Sequence, residues 1–200
     1  MKTKSFSSLD DIANAVLFLA VFIGIWQLVF VLGIWPQVSL PSPATVAESF
    51  ANIISNYTLF KGIGITLGRL VVGFFIAIAL GVTIGLAMIK FKGFGKTMSS
   101  FSAGLLSFPS IAWVPFSILL IGFNDAGILF VVIMSSVFSL TISTYSSIRN
   151  IPPIYLDAAK NMGARGVSLF LHATIPAATP SLIIGIRQGW SFAWHAIIGA

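Results

Sequence analysis

Of the chain's 200 residues, 57% are hydrophobic and only 8% are charged, and the mean hydropathy is +1.01. A soluble domain carries about a quarter charged residues, so this composition specifies an integral membrane protein. With no cysteine, two well-separated histidines (His172 and His195) and five scattered acids, the sequence offers no disulfide framework, no metal-ligand set and no local carboxylate pair for acid–base catalysis; the net charge of +6 comes from basic residues that punctuate apolar runs, which excludes a nucleic-acid-binding patch.

A hydrocarbon core about 30 Å thick needs about 20 apolar residues per helix, and backbone groups in lipid are satisfied only within the segment, so the apolar runs are helices. The N-terminus, MKTKSFSSLDD, is basic and then polar. The charge-free run from Ile12 to Ile34 is too long for a signal-peptide core and lacks a small-x-small cleavage site, which predicts a retained first span. Gly33 to Lys61 follows as a loop, in which "LPSP" (Leu40 to Pro43) predicts a rigid extended stretch, because each proline holds its predecessor out of the helical region. Leu70 to Ile89 is the second span, starting a turn or two earlier near Gly64, with Arg69 placed to snorkel at one end. It carries Gly73, Ala77, Gly81 and Gly85 at four-residue spacing, a groove of small residues that lets another helix approach closely. Thr97 to Phe123 is the third span, in which Pro109 and Pro115 each remove a backbone donor and predict a kink. Ala126 to Ile148 is the fourth, and Ile175 to Ala200, interrupted by Arg187, the fifth.

With the N-terminus in the cytoplasm, Lys2, Lys4, Lys90, Lys92, Lys96, Arg149, Lys160 and Arg165 fall inside and Lys61 alone falls outside, an eight-to-one positive-inside bias. The polar stretch between the fourth and fifth spans is therefore expected on the cytoplasmic face. "IPPIYLDAAKNMGARG" predicts a short amphipathic helix there. Pro152 and Pro153 suit its start, and Asp157 sits early, near the positive end of the helix dipole. Ile154, Ala158 and Met162 share one face, Asp157, Lys160 and Asn161 cluster on another, and Gly163 can take the left-handed conformation that stops a helix. Three roles stay open on these residues alone: a solvated loop helix, a helix lying on headgroups, or a helix docked into a partner protein.

The same stretch carries a spacing. Asp157, Ala158 and Ala159, then Gly163, then Pro176 resemble the EAA motif of ABC-importer permeases: E-A-A, three residues, G, nine residues, I-x-L-P. Asp157 stands for the glutamate, Ala173 for the isoleucine and Ile175 for the leucine. "LPSPATV" (Leu40 to Val46), "TLGRLVVGF" (Thr66 to Phe74), "PSIAWVPF" (Pro109 to Phe116) and "GWSFAW" (Gly189 to Trp194) are similar to permeases of the nitrate/sulfonate/taurine/bicarbonate group. The likeness covers the chain from about Leu40 to its end.

The resemblance implies an all-α, polytopic transmembrane bundle of the type I importer class, with about five spans here and a sixth expected in the family, so the sequence is expected to be C-terminally truncated. Residues 1–61 would supply an N-terminal cytoplasmic tail, the first transmembrane helix and an extracytoplasmic loop, and residues 62–200 the permease core with a cytoplasmic coupling segment at 149–174. The implied ATPase-coupling residues are Asp157, Ala158, Ala159, Lys160, Met162, Gly163, Ala164 and Pro176. Ala158 and Ala159 are small enough for close approach, Gly163 permits a sharp turn, and Pro176 is expected to end the following segment at the membrane surface. Pro109, Trp113, Pro115 and Arg187 are candidates for the translocation path. Trp113 either packs at a structural kink or lines that path. Arg187 lies about 16 Å along the helix from Pro176, near mid-bilayer, where an arginine is costly and usually functional. It either attracts anions in the path or partners a polar group on a neighbouring helix.

No G-x-x-x-x-G-K-[ST] occurs, so ATP is expected on a separate ATPase chain, with no cofactor and no catalytic residue on this one. The implied partners are a cytoplasmic ATPase pair, an extracytoplasmic substrate-binding protein, a second permease copy as a homodimer, and membrane lipid, with no nucleic acid. The implied activity is import of a small anion or organosulfonate across the inner (cytoplasmic) membrane. Rival classes are an ion-driven secondary transporter, which predicts inverted repeats and deep ionisable residues, and a non-transporting membrane scaffold.

Overall fold

The computed structural model describes residues 8–200, so Lys2 and Lys4, which contribute to the orientation count, lie outside it. Among the described residues every regular element is helical, and contacts divide the chain into an N-terminal unit ending at Ile63 and a larger unit, Gly64–Ala200.

In the N-terminal unit, α1 (Ser8–Val31) contains a 20-residue apolar stretch, Ile12–Val31, long enough to cross a membrane. Residues 40–42 are non-helical, as "LPSP" predicts, with Ser42 extended (φ −68°, ψ 153°), and α2 (Pro43–Ser55) starts at the last proline of that stretch. Ser42 Oγ accepts the amide of Thr45 at 3.1 Å, and Pro43 takes the first helical position, where its missing N–H has no partner to lose. Trp26 Nε1 donates to the Pro41 carbonyl at 3.0 Å, tying α1 to this stretch.

The boundary between units falls inside α3 (Thr58–Lys90), which begins well before the apolar run proper. In the larger unit, α3 buries Leu70, Gly73, Phe74, Ala77, Gly81 and Gly85 on one face, while Val72 and Phe75 on the other are exposed. Apolar side chains on the outer surface are what a helix facing hydrocarbon presents. α4 (Lys92–Leu106) then leads through a 3-10 turn (Ser110–Ala112) to α5 (Trp113–Leu120), and α6 (Asp125–Arg149) follows.

The small face of α3 lies against α6. Gly73 meets Val132, Gly81 meets Leu140 and Gly85 meets Thr144, a constant offset that makes the two helices parallel. Arg69 and Asp125 meet at one end of this pair. The chain therefore returns from the Lys90 end of α3 to the Arg69 end between the two, and the α4–α5 pair makes that one crossing.

The predicted third span is thus present, but not as a kinked helix. Its halves are bent by 95°. Pro109 is extended (φ −57°, ψ 132°) and sits at the break, whereas Pro115 lies in the first turn of α5, where the missing donor disturbs nothing and no kink forms.

α6 is the buried centre. It buries Ser135, Ser136, Ser139, Thr141, Thr144 and Ser147 beside its valines and Leu140. The hydroxyls of Ser135, Ser136 and Thr144 donate to carbonyls four residues back at 2.7, 2.5 and 2.8 Å, so these three are satisfied within their own helix, while buried Thr141 Oγ1 has no hydrogen-bond partner among the described residues. α9 (Ile175–Gly199) runs antiparallel to α6, with Gly185 opposite Ser143 and Gly189 opposite Leu140. Leu140 thereby stands between Gly81 of α3 and Gly189 of α9, and Phe74 meets Trp190 edge-on at 5.1 Å beside it.

A Cβ at Gly81 would stand 2.6 Å from Leu140 Cβ, whereas one at Gly68 would meet nothing within 4 Å. Gly81→Ala is expected to destabilise the bundle by about 1–3 kcal/mol through overpacking, with Gly68→Ala close to neutral. Thermal unfolding of the detergent-solubilised full chain, followed by size-exclusion fluorescence, measures both.

Candidate functional site

The polar stretch that the sequence singles out forms α7 (Pro153–Asn161), a helix with no buried residue. Pro152 and Pro153 open it as expected. Gly163 closes it at φ +92°, with the Gly163 amide donating to Lys160 O at 2.9 Å and the Ala164 amide to Ala159 O at 3.0 Å. This is a Schellman stop, which a side-chain-bearing residue adopts only under strain. Asp157 lies beyond the first turn, so it does not serve the helix start; it accepts a hydrogen bond from Lys160 Nζ at 3.0 Å on the exposed surface instead. Such an exposed pair is worth about 0–1 kcal/mol, so it organises the surface more than it stabilises the fold.

Ala159 and Ala164 are half-buried and Ala158 is exposed. Around them stand side chains that a solvated loop has no reason to keep apolar: Met162 is 88% exposed, Ile154 72% and Tyr155 60%. α7 therefore presents an exposed apolar surface with an ion pair beside it, a surface suited to contact with another protein or with lipid. The sequence pointed to Ile154 and Met162; Tyr155 adds to the surface and was missed because its position falls off the four-residue stripe.

After Gly163 and Gly166, α8 (Gly166–Leu169) runs through a π turn (Phe170–Thr174) into α9 without a break, one continuous helix from Gly166 to Gly199. Pro176 therefore does not end the segment. It sits at the second position of α9, directly after the π turn, whose wider i→i−5 bonding (Thr174 Oγ1 also reaches Leu169 O at 3.3 Å) absorbs the hydrogen bond that Pro176 cannot make. The sequence-level inference from proline to helix end failed because the helix changes pitch instead.

The path candidates are not brought together with this site. Trp113 is half-buried in an aromatic cluster, 5.5 Å from Phe108, 5.9 Å from Phe116, 6.4 Å from Phe130 and 6.3 Å from Phe138 (stacked). It locks the 3-10 turn and α5 onto α6, while Pro109 and Pro115 are exposed beside it. Arg187 is exposed and lies two residues from Gly185, about 200° around α9 from the face that packs on α6. Arg69 finds a partner the sequence could not announce. Its Nη2 lies 2.6 Å from Asp125 Oδ1, joining α3 to the first turn of α6. No local spacing links residues so far apart in the chain.

The fold is that of a polytopic membrane protein: apolar helices long enough to cross a bilayer, with a short, capped, outward-facing helix between its two most extensively packed helices. Residues 73–200 match the family described as "Binding-protein-dependent transport system inner membrane component", and the chain belongs to it. A protein of Methanocaldococcus jannaschii named as an ABC transporter permease is 28% identical over 155 residues, covering 76% of this chain and 57% of the relative. A permease protein of Escherichia coli named for aliphatic sulfonates transport is 30% identical, over 89% of this chain and 68% of the relative. A nitrate import permease protein of Synechococcus elongatus is 27% identical, over 91% and 68%. The chain thus spans between about half and two thirds of the length of these relatives.

Trp113→Ala is expected to cost about 3–5 kcal/mol, the usual loss for emptying an aromatic site, and Trp113→Phe much less. Limited proteolysis near residues 107–113, compared between the two variants, reads the loosening of α5 directly.

Proposed function

We propose that this chain is the membrane-spanning subunit of an ATP-driven importer, and that α7 receives the motion of a separate ATPase subunit. The observation that carries this reading is the construction of α7: rigidly stopped at Gly163, apolar and exposed at Ile154, Tyr155 and Met162, and joined at its two ends to α6 and to the Gly166–Gly199 helix. α6 and α9 pack on each other along Leu140 and Ser143, so a push on α7 reaches two helices that move as one body. In this reading Asp157, Ala158, Ala159, Lys160, Met162, Gly163 and Ala164 form the contact, and Pro176 marks the junction with the membrane helix. Membership of an ABC-importer family favours it over an ion-driven carrier or a scaffold.

The cargo in this proposal is a small anion or organosulfonate, in keeping with the sulfonate and nitrate names of the relatives. An extracytoplasmic binding protein would deliver it to a pair of permease copies, and ATP would bind only to the paired ATPase subunits, leaving this chain without a cofactor. The N-terminus would lie in the cytoplasm, with residues 1–61 providing the anchoring span and outer loop and residues 62–200 the core. Arg187, turned away from the core of its own chain, would face the path between the two copies and attract the anion. The aromatic packing of Trp113 supports a role as brace for that path more than as its lining.

Two measurements test this. Gly163→Pro, incompatible with φ +92°, and Met162→Asp are each expected to lower co-purification of the ATPase subunit by roughly tenfold or more, while the permease itself still inserts and purifies. If Gly163→Pro and Asp157→Lys both leave ATPase association and ATP-dependent uptake intact, α7 is not the coupling element. Arg187→Gln is expected to cut uptake of an anionic substrate by about tenfold; full uptake by that variant would remove Arg187 from the path.

A further inference from the structure

At the Lys90 end of the helices, α3, α4, α6, α7 and the π turn border an open cavity of about 1130 Å³. Its walls are mostly apolar, built from Leu86 and Ile89 of α3, Ile148 of α6, Leu156 of α7 and Phe170 of the π turn, with Tyr145 and Thr174 adding polar groups. Lys90, Lys96 and Arg149 stand around it and are exposed. No carboxylate is among the described residues that line it, and the ion pairs found among the described residues, Arg69–Asp125 and Lys160–Asp157, use none of these cations. Arg149 is held in place by Tyr145: Nη1 donates to the phenol oxygen at 2.8 Å, and the guanidinium carbon lies 5.5 Å from the ring centre. Lys90 Nζ lies 5.6 Å from the Phe91 ring.

Like charges gathered at one opening repel each other unless an anion joins them. A soluble anion would satisfy the cations and leave the apolar walls facing water. A zwitterionic lipid would cover the walls and leave the cations without a net counter-charge. An anionic phospholipid matches both parts, because basic pockets between helices at the membrane surface bind such headgroups. We propose that this cavity is a binding site for an anionic phospholipid, its phosphate held by Lys90, Lys96 and Arg149 and its acyl chains lying on Leu86, Ile89 and Ile148. Since Leu156 belongs to α7 and Phe170 to the π turn, the lipid fills the space behind α7 and braces it. The inference rests on membrane residence and is independent of transport.

The test uses the full chain in nanodiscs of equimolar phosphatidylcholine and phosphatidylglycerol, with the lipids retained after detergent extraction counted by mass spectrometry. Phosphatidylglycerol is expected to be enriched on the wild type by about fivefold or more. Lys90→Gln/Lys96→Gln/Arg149→Gln should return the ratio to that of the bulk lipid. The charge-preserving set Lys90→Arg/Lys96→Arg/Arg149→Lys should keep the enrichment, as should Lys61→Gln, which lies elsewhere on the chain. Should the triple glutamine variant not fold, a photoactivatable phosphatidylglycerol on the wild type is expected to label peptides containing residues 86–96 and 145–156. No enrichment, enrichment untouched by the glutamine set, or labelling confined to other segments would overturn the proposal. So would loss of the enrichment in millimolar inorganic phosphate, which would mark a site for a soluble anion.

Discussion

The larger unit depends on the close approach of three backbones around Leu140. Inside a bilayer the hydrophobic effect does not press helices together, because lipid tails are as apolar as leucine side chains; what holds them is contact at short range. Gly81 and Gly189 supply that range from two sides, and Ser135, Ser136 and Thr144 of α6 keep it by bonding their hydroxyls to their own helix. α6 is thereby clamped along its length, and both of its ends become fixed points. One end carries Asp125 and its bond to Arg69; the other carries Arg149 and leads into α7.

This arrangement explains how a surface helix with no buried residue can matter to the membrane-embedded part. α7 contributes almost nothing to the core, so its apolar side chains are free for an external surface. Its position is nonetheless defined by the two helices that flank it and by a glycine stop that allows little sway. The aromatic cluster about Trp113 does comparable work on the other side of α6, pinning the broken α4–α5 crossing where a straight helix would have packed without help.

Much of this was legible in the sequence. Membrane helices announce themselves by run length, the small-residue stripe of α3 by its four-residue period, and α7 by its polarity between two apolar runs. The EAA-like spacing added the family, which periodicity alone could not. What escaped were features in which proline acts by position. Pro43 opens a helix after Ser42, Pro115 sits harmlessly in a first turn, and Pro176 follows a change of pitch; all three read alike as breakers until the neighbouring backbone is known. The Ser42-Pro43 pair was a usable helix-start signal. The Arg69–Asp125 pair and the cationic cavity had no such signal, because they join residues from separate helices.

The π turn at Phe170–Thr174 has a consequence of its own. A π turn holds one residue more than an α-helical turn, so it offsets the helical phase on its two sides by about 100°. The direction in which the segment after Gly166 leaves the membrane is therefore set independently of the face that α9 turns to α6. Adding or removing that single residue would swing α7 around the helix axis while the glycine-lined seam stays in register. In such a design, the angle at which α7 projects from the bundle is an adjustable quantity, separate from the packing of the bundle.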